Sequence, residues 1–401
     1  MGISFNQVND LLEIRNCRFE NNASGLEGGG IGYKYSAGEL NIINCDLSAN
    51  GAADRGGGLY ASGGTLTIVN TIFTGNTTNS NQGGGAYINQ VADALFINCL
   101  FASNTAGTDG GAVRVGHEST TAVFNNCTFS KNHAGYRGGG IMAMTLSTIT
   151  VTNCILWANT DTDGGTDTEE AQLLLLSGMA TVTYTCIEGC VVFCDDPNDN
   201  NIPDDPLFVD PPNNYRLAAD SPCMEVADND AVVCDEFDVD ENMEGCPPAE
   251  PQDTPDLDFG VRIVDGDEDM TAVVDMGAYE SVPCPWDLDG NCDVGIGDLL
   301  ILLPDWGNPY GIGDLLALLA AWGPCQCAPD AEPLTLEEEL ADACLTMDHW
   351  NAFVAVMSNP NASQEDKDRY NCWMTHYLDH CNKCTCEHLP ECPSPDPFSS
   401  T

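Results

Sequence analysis

The residues best suited to chemistry lie in the stretch D287-L-D-G-N-C-D-V-G-I-G-D298. Asp287, Asp289, Asn291 and Asp298 fall at positions 1, 3, 5 and 12 of a calcium-binding loop. Oxygen ligands at alternate positions of a tight loop, closed by a carboxylate at its end, can surround one Ca²⁺. The spacing therefore predicts a single calcium site, and Ca²⁺ is the one cofactor that we expect.

A second set of candidates is the group Asp109, Arg114 and His117. A carboxylate, a guanidinium and an imidazole so close in sequence could form a shallow site that cleaves a polysaccharide. Solvated residues of a turn are the simpler interpretation, and no Ser-His-Asp order, phosphate loop or dinucleotide motif accompanies them. The sequence therefore favours a protein that is not an enzyme.

A third group of reactive side chains lies near the C-terminus, where His376 and His380 precede C381-N-K-C384. Two histidines four residues apart beside Cys-x-x-Cys could bind zinc. Six cysteines crowd this short segment, as in disulfide-linked modules of exported proteins. Disulfides with surface histidines are the favoured alternative, and zinc stays open.

Charge excludes several classes of partner. The 401 residues contain 12 Lys and Arg against 62 Asp and Glu, which gives a formal net charge of −50. Such a chain should not bind nucleic acid or an anionic membrane surface. The longest apolar runs, Leu173–Leu176 and Leu315–Ala321, are too short to span a bilayer, so no transmembrane segment is expected. Residues 1–160 hold 7 basic and 10 acidic residues, so almost all of the negative charge lies in residues 161–401.

The elements that would carry these residues follow from an internal repeat. Copies such as F96-I-N-C-L-F-A-S-N104 and F124-N-N-C-T-F-S-K-N132 recur six times at steps of 26 to 28 residues. The first asparagine of each copy lies at Asn16, Asn44, Asn70, Asn98, Asn126 and Asn153. Each unit has short β-branched runs bounded by Gly and Asn, and no amphipathic helix. The pattern predicts a mainly β fold, a parallel β-helix of about six to seven coils over residues 1–194.

Stacked coils place equivalent residues on top of one another. We expect the first asparagines to form a ladder of side-chain amides, and the Gly-Gly-Gly turns to supply positive φ angles. The predicted interior stack is Phe19, Leu47, Phe73, Phe101, Phe129 and Leu156. Six cysteines of the coils should stack as buried thiols, with a disulfide or metal ladder as the alternative; they are Cys17, Cys45, Cys99, Cys127, Cys154 and Cys186.

The Gly-Gly-[Ala/Ile/Leu] and Phe-x-x-Asn motifs resemble the repeats of polymorphic outer-membrane proteins and of the wider pectin-lyase-like superfamily. The resemblance covers roughly residues 10–190. The resemblance implies a right-handed parallel β-helix fold. It does not imply a function, because that superfamily includes adhesins, lyases and hydrolases.

The remaining chain divides by composition into four further segments. Residues 195–283 are rich in Asp and Pro, and three motifs there resemble the closing region of planctomycete-type surface proteins: D205-P-L-F-V-D210, N214-Y-R-L-A-A-D-S-P-C223 and V274-D-M-G-A-Y-E280. We expect this segment to form an irregular cap over the last coil. Residues 328–392 have the pattern of a small Cys-rich α-helical module, and residues 393–401 that of a disordered tail.

Residues 284–327 contain a duplication, G295-I-G-D-L-L followed by G311-I-G-D-L-L. With the calcium loop before it, the segment resembles a dockerin repeat. It departs from that pattern at Cys292, where glycine is usual, and in N308-P-Y310, which replaces the acidic half of the second loop. Pairing with a cohesin uses both halves, so it is not expected.

These patterns predict a secreted or cell-surface β-helix protein that recognises a glycan or another surface, with C-terminal modules stabilised by calcium that serve as anchors. The alternative is a polysaccharide lyase or glycoside hydrolase of the same fold, and a third possibility is a purely structural envelope protein. The start M1-G-I-S4 lacks a basic region and an apolar core, so no signal peptide is visible and we expect an incomplete N-terminus.

Overall fold

The structure is a computed structural model. It describes residues 2–91, 93–117, 120–144, 146–163, 167–218, 221–233, 239, 255–257, 262–263, 272–281, 293–294 and 323–324. The chain divides into two compact units, Met1–Ser281 and Val282–Thr401.

The first unit contains four parallel sheets, and each complete coil of the chain contributes one strand to each sheet in turn. Sheet 1 contains the strands Ile3–Asn6, Ile31–Lys34, Leu59–Ser62, Ala86–Asn89, Val113–Gly116, Ile141–Met144 and Leu173–Leu176. Sheet 2 contains Leu11–Arg15, Glu39–Ile43, Thr65–Val69, Asp93–Ile97, Thr121–Asn125, Thr148–Thr152 and Met179–Thr183. Sheet 3 contains Arg18–Glu20, Asp46–Ser48, Ile72–Thr74, Leu100–Ala102, Thr128–Ser130, Ile155–Trp157 and Cys186–Ile187. Sheet 4 contains Ala23–Ser24, Gly51–Ala52, Thr77–Thr78, Thr105–Ala106, His133–Ala134 and Thr160–Asp161.

Every strand of these sheets pairs with the equivalent strand one coil later. Phe73, for example, is aligned with Leu47 on one side and with Phe101 on the other. The arrangement is a parallel β-helix of about six turns, which confirms the fold predicted from the repeat. The described residues also include one short α-helix, Glu169–Gln172, and one 3₁₀ turn, Asn229–Ala231.

The core of the first unit is a set of continuous side-chain stacks. Phe73 and Phe101 lie with ring centroids 4.5 Å apart, and Phe101 and Phe129 lie 5.0 Å apart. Their rings are nearly parallel, because one register repeats in each coil. The predicted interior stack is therefore confirmed, with Phe19 only partly buried at the first coil.

The asparagine ladder is real, but the expectation named the wrong asparagine of each repeat. The bonded ladder consists of the last asparagine of each copy, Asn22, Asn50, Asn76, Asn104, Asn132 and Asn159. In it, the Asn104 amide donates to Asn132 Oδ1 at 2.9 Å, and Asn76 donates to Asn104 Oδ1 at 3.0 Å. The first asparagines instead have φ angles between 45° and 55° and turn the chain from sheet 2 to sheet 3. Asparagine tolerates that left-handed conformation better than most residues do, which explains its recurrence there.

The glycine triplets behave as predicted. The first glycine of each, at Gly28, Gly56, Gly83, Gly110 and Gly138, has a φ angle between 63° and 70°. The second glycine is needed for a different reason. A Cβ added at Gly57 would lie 2.3 Å from the carbonyl oxygen of Gly84 in the next coil, so no side chain fits.

The cysteines of the coils form a stack of free thiols rather than a disulfide ladder. Cys99, Cys127 and Cys154 are fully buried, and each donates a hydrogen bond to a backbone carbonyl two residues earlier. Thr71 takes the corresponding place in the coil between Cys45 and Cys99. Cys190 and Cys194, which follow the last coil, are joined by a disulfide.

Residues that follow the last coil do more than cover its end. Ile202 forms a bridge with Cys186 at the last coil, as a cap would. The described residues from 207 to 281, which we call the strap, lie along the outer side of sheets 2 and 3. Leu257 and Tyr279 pack on Leu100, and Val239 packs on Ile43 far from the last coil.

The first asparagines of the repeats hold this strap. Their side-chain amides donate to backbone carbonyls of the strap, at 2.7 Å from Asn44 to Val239 and 2.6 Å from Asn98 to Pro255. Asn153 both donates to the carbonyl of Asp228 and accepts from its amide, at 2.9 Å each. Five of the six first asparagines, Asn44, Asn70, Asn98, Asn126 and Asn153, thus bind the backbone of the strap.

Several sequence predictions lie outside the described residues. They are the calcium loop from Asp287 to Asp298 except residues 293–294, the helical module of residues 328–392, the tail of residues 393–401, and the zinc or disulfide group around His376. In the second unit, Asp293–Val294 pairs antiparallel with Gly323–Pro324. Within the described part of the chain, no helix is both long enough and apolar enough to cross a membrane.

The ladder ends in an acidic group at the last coil. Asn159 donates to Gln172 Oε1 at 2.7 Å, and Gln172 Nε2 donates to Glu188 Oε2 at 2.8 Å. Burial is the main cause that raises the pKa of Glu188, and Asp167 and Asp205 raise it further by repulsion and, from Asp167, a side-chain hydrogen bond. The last acceptor of the ladder is therefore a carboxylate that favours protonation in the folded state.

We expect Asn104→Ala to destabilise the first unit by about 3 kcal/mol, because it removes the acceptor of the buried Asn76 backbone amide and one of the two acceptors of the Asn76 side-chain amide. Denaturant unfolding of the full chain measures the change. The matched control is Asn79→Ala at an exposed position, where a change within about 0.5 kcal/mol is expected. Equal losses in the two variants would contradict a structural role for the ladder.

We expect Glu188→Gln to raise the melting temperature at pH 7 but not at pH 4. The folded-state pKa of Glu188 lies above its ordinary value of 4.5, so its proton stabilises the fold at low pH. That contribution is lost as the pH rises through the folded-state pKa of Glu188. Glutamine carries no charge at any of these pH values and keeps a side-chain oxygen that accepts the hydrogen bond from Gln172. Melting curves of the two proteins at both pH values test this, and a difference that does not depend on pH would contradict it.

Candidate functional site

The outer face of sheet 1 carries the most distinctive row of side chains among the described residues. The strand register aligns Tyr60 with Tyr87, Tyr87 with Arg114, and Arg114 with Met142. Alternate residues of a strand point to opposite faces, so neighbours such as Ile88 and Val113 fill the core while this row lies on the other side of the sheet. Its members are nevertheless buried, with 4% of Tyr87 and 8% of Arg114 exposed. The rings of Tyr60 and Tyr87 stack with centroids 5.5 Å apart.

A second polar row lies at the corner just before each glycine triplet. Its members in successive coils are Glu27, Arg55, Gln82, Asp109 and Arg137. Neighbouring members bind one another: Arg55 contacts Glu27 at 3.7 Å, Gln82 donates to Asp109 at 2.9 Å, and Arg137 lies 3.4 Å from Asp109. The row thus contains two linked groups parallel to the helix axis, Glu27 with Arg55 and Gln82 with Asp109 and Arg137.

The two rows meet through cation–π contacts. The guanidinium of Arg114 lies 4.9 Å from the centre of the Tyr87 ring, and that of Arg55 lies 5.4 Å from it. The ammonium of Lys34 lies 5.6 Å from the Tyr60 ring and 3.3 Å from Glu27. We call this surface the cationic face, and we define it by Lys34, Arg55, Tyr60, Tyr87, Asp109, Arg114 and Arg137. It holds four of the seven basic residues of residues 1–160.

The electrostatics of the cationic face follow from partial burial. Burial is the first cause that lifts the pKa of Tyr60 to about 12, and repulsion from Glu27 adds to it. Burial also lowers the pKa of Arg114, against attraction from Tyr87 and Asp109. For Arg55, burial alone would lower the pKa, but Tyr87, Asp54 and other neighbours raise it overall. At neutral pH Tyr60 is therefore neutral, and Arg55 keeps its positive charge.

The three catalytic candidates lie around one strand of this face, each with partners of its own. Asp109 precedes the strand and is buried, with its carboxylate bound to Gln82 and Arg137. Arg114 lies on the strand and donates to the hydroxyl of Tyr87 at 3.0 Å and to the sulfur of Met144. His117 follows the strand, and its Nε2 lies 3.2 Å from the side chain of Gln90.

Sequence reasoning missed most of the cationic face. Tyr60, Tyr87 and Arg114 each stand two residues after the last glycine or alanine of a Gly-Gly-x motif. Aligning the coils on that motif would have placed them in one row. The partners that lie across the corner could not be read in this way, because their contacts depend on side-chain conformation.

With the geometry described, comparison with known proteins supports the architecture. Residues 30–198 match a protein-family model described as a right handed beta helix region. The search of curated proteins and the search of solved structures each gave no match. The match covers most of the coils of the first unit and agrees with a right-handed parallel β-helix.

We expect Arg114→Met to keep or raise the stability of the fold, whereas Arg114→Ala lowers it by about 2 kcal/mol. A buried charge contributes little net stability, but its side chain packs on the Tyr87 ring. Methionine fills that space beside Met142 and Met144, and alanine does not. Denaturant unfolding of both variants tests this, and a loss in Arg114→Met as large as in Arg114→Ala would show that the charge itself holds the fold.

Proposed function

We propose that the first unit recognises an extracellular glycan or another cell-surface partner through the cationic face. The observation that carries this proposal is the concentration of Lys34, Arg55, Arg114 and Arg137 beside a tyrosine stack in a chain of net charge −50. Cations kept together on so acidic a chain attract groups of opposite charge and donate hydrogen bonds to sugar oxygens.

The architecture suits a long ligand. Neighbouring coils lie about 4.8 Å apart, so the face repeats its donors at short intervals along the helix axis. The tyrosine rings stack on each other, and Arg55 and Arg137 lie at the corner with side-chain exposures of 35% and 25%. The rings form a rigid base, and the guanidinium groups of Arg55 and Arg137 are the part that a ligand would touch.

Recognition fits the geometry better than catalysis does. A general acid or base needs a carboxyl group that is free to exchange a proton with the substrate. Asp109 is held by Gln82 and Arg137, and Glu27 is held by Lys34 and Arg55. Polysaccharide cleavage remains the competing function, and the experiment below includes a measurement for it.

We further propose that the protein works outside the cell and that its acidic C-terminal part acts as an anchor. The Cys190–Cys194 disulfide supports an oxidising environment. The calcium site at Asp287, Asp289, Asn291 and Asp298, and the dockerin-like and planctomycete-type resemblances of that part, stay predictions that belong to this proposal.

We expect Arg55→Gln and Arg137→Gln each to weaken binding to at least one polysaccharide by about tenfold, since each removes one charge-assisted contact. Affinity electrophoresis of the full chain through gels with acidic or neutral polysaccharides measures the loss. Glutamine at position 137 keeps a donor for Asp109, which limits damage to the fold. Circular dichroism of each variant checks that the fold is intact.

The matched control is Arg18→Gln, because Arg18 is exposed on sheet 3 and pairs with Asp46 at 2.9 Å. Retardation by no polysaccharide, or equal loss in all three variants, would contradict recognition through the cationic face. New reducing ends released from any polysaccharide would overturn the interpretation as a protein that only binds.

A further inference from the structure

Two buried cysteines lie where the last coil meets the strap. Cys186 is on the last strand of sheet 3, where it pairs with Ile155. Cys223 belongs to the strap, in the turn that follows its strand Asn214–Leu217. Both residues have no exposed surface, and both belong to one apolar cluster with Val274. Two segments separated by 37 positions in the sequence thus present thiols to the same small volume.

The two thiols share one buried cluster, and hydrogen bonds hold the chain around them. Cys186 Sγ lies 3.1 Å from the carbonyl oxygen of Asp204. The amide of Cys223 donates to Ser221 Oγ at 3.1 Å, and its carbonyl accepts from the amide of Met276 at 3.0 Å.

We propose that Cys186 and Cys223 form a disulfide that fastens the strap to the last coil when the protein folds in an oxidising environment. The thiolate of one cysteine attacks a low-molecular-weight disulfide, such as oxidised glutathione, and releases one of its halves as a thiol. The thiolate of the other cysteine then displaces the second half. Overall, two cysteine thiols lose two protons and two electrons, and the oxidant is reduced to two thiols.

The inner thiols are not equivalent to this pair. Cys99, Cys127 and Cys154 stack inside coils that the sheets already hold together, so a bond between them would join neighbours that are already paired. Cys186 and Cys223 join the last coil to a segment that reaches it mainly through packing and isolated hydrogen bonds. The Cys190–Cys194 disulfide, four residues along the chain, places an oxidised pair beside them.

Burial also determines when the bond forms. The docked Cys186 thiol is enclosed, and burial raises its pKa well above the ordinary value, so it carries almost no reactive thiolate. Oxidation therefore precedes or accompanies docking of the strap. A protein that folds in a reducing buffer should keep both thiols even after later exposure to oxidant.

The experiment refolds the full chain in a mixture of oxidised and reduced glutathione, blocks free thiols, and digests with a protease that cuts after Glu and Asp. Cleavage after Glu188 separates Cys186 from Cys190, and cleavage after Asp220 and Glu225 isolates Cys223. We expect one linked peptide pair that joins Cys186 to Cys223 and that reductant separates. The Cys190–Cys194 bond is the internal control for oxidation.

Two results overturn the proposal. One is alkylation of both Cys186 and Cys223 in a sample whose Cys190–Cys194 bond has formed. The other is a disulfide from either residue to a different cysteine. Both results come from the wild-type chain, so they do not depend on whether a variant folds.

A variant then tests what the bond does. Without reductant, we expect Cys223→Ser to lose its strap to limited proteolysis about tenfold faster than the wild type, and with reductant the two should behave alike. Cys17→Ser, at an exposed cysteine of the first coil, is the control and should match the wild type in both conditions. Equal cleavage of wild type and Cys223→Ser without reductant would show that no bond holds the strap.

Discussion

The alignment of each strand with its equivalent one coil later is the interaction on which the whole first unit depends. This alignment places equivalent residues of successive coils next to each other. A buried polar side chain therefore bonds to the equivalent side chain in the next coil. Asn104 is buried without cost because Asn76 and Asn132 complete its hydrogen bonds. No single coil could satisfy such a residue, and stability therefore comes from interfaces between coils rather than from any one of them.

The same register also sets the outer rows, and there the coils diverge. On sheet 3, the outward row passes through Asp46, Ile72 and Leu100, so it becomes apolar after the second coil and is covered by the strap. On sheet 1, the outward row holds Tyr60 and Tyr87, and basic side chains lie over the rings. One periodic interior thus supports two different faces, one that binds the strap and one that we propose binds a partner.

The sequence predicted the interior far better than the exterior. Phe73, Phe101 and Phe129 could be read directly, because a core position is fixed by period and hydrophobicity alone. The two asparagines of each repeat share the same spacing, so period could not tell which one forms the ladder. Backbone conformation decides this, since Asn98 has a positive φ and Asn104 does not. The strap has no period, and its contacts with the coils come from residues up to 195 positions away in the sequence.

One coil is longer than the others, and its additional length affects what can be built beside the cationic face. Ile141 and Leu173 are equivalent on sheet 1 but 32 positions apart, whereas Val113 and Ile141 are 28 apart. The additional residues lie at the corner between sheets 4 and 1, where Glu169–Gln172 forms a helical turn and Gln172 still completes the ladder. This corner borders the cationic face. Insertions at this corner would add loops beside the cationic face while the coils stay in register. The corner is therefore a suitable place to change, in evolution or by engineering, the ligand that we propose for that face.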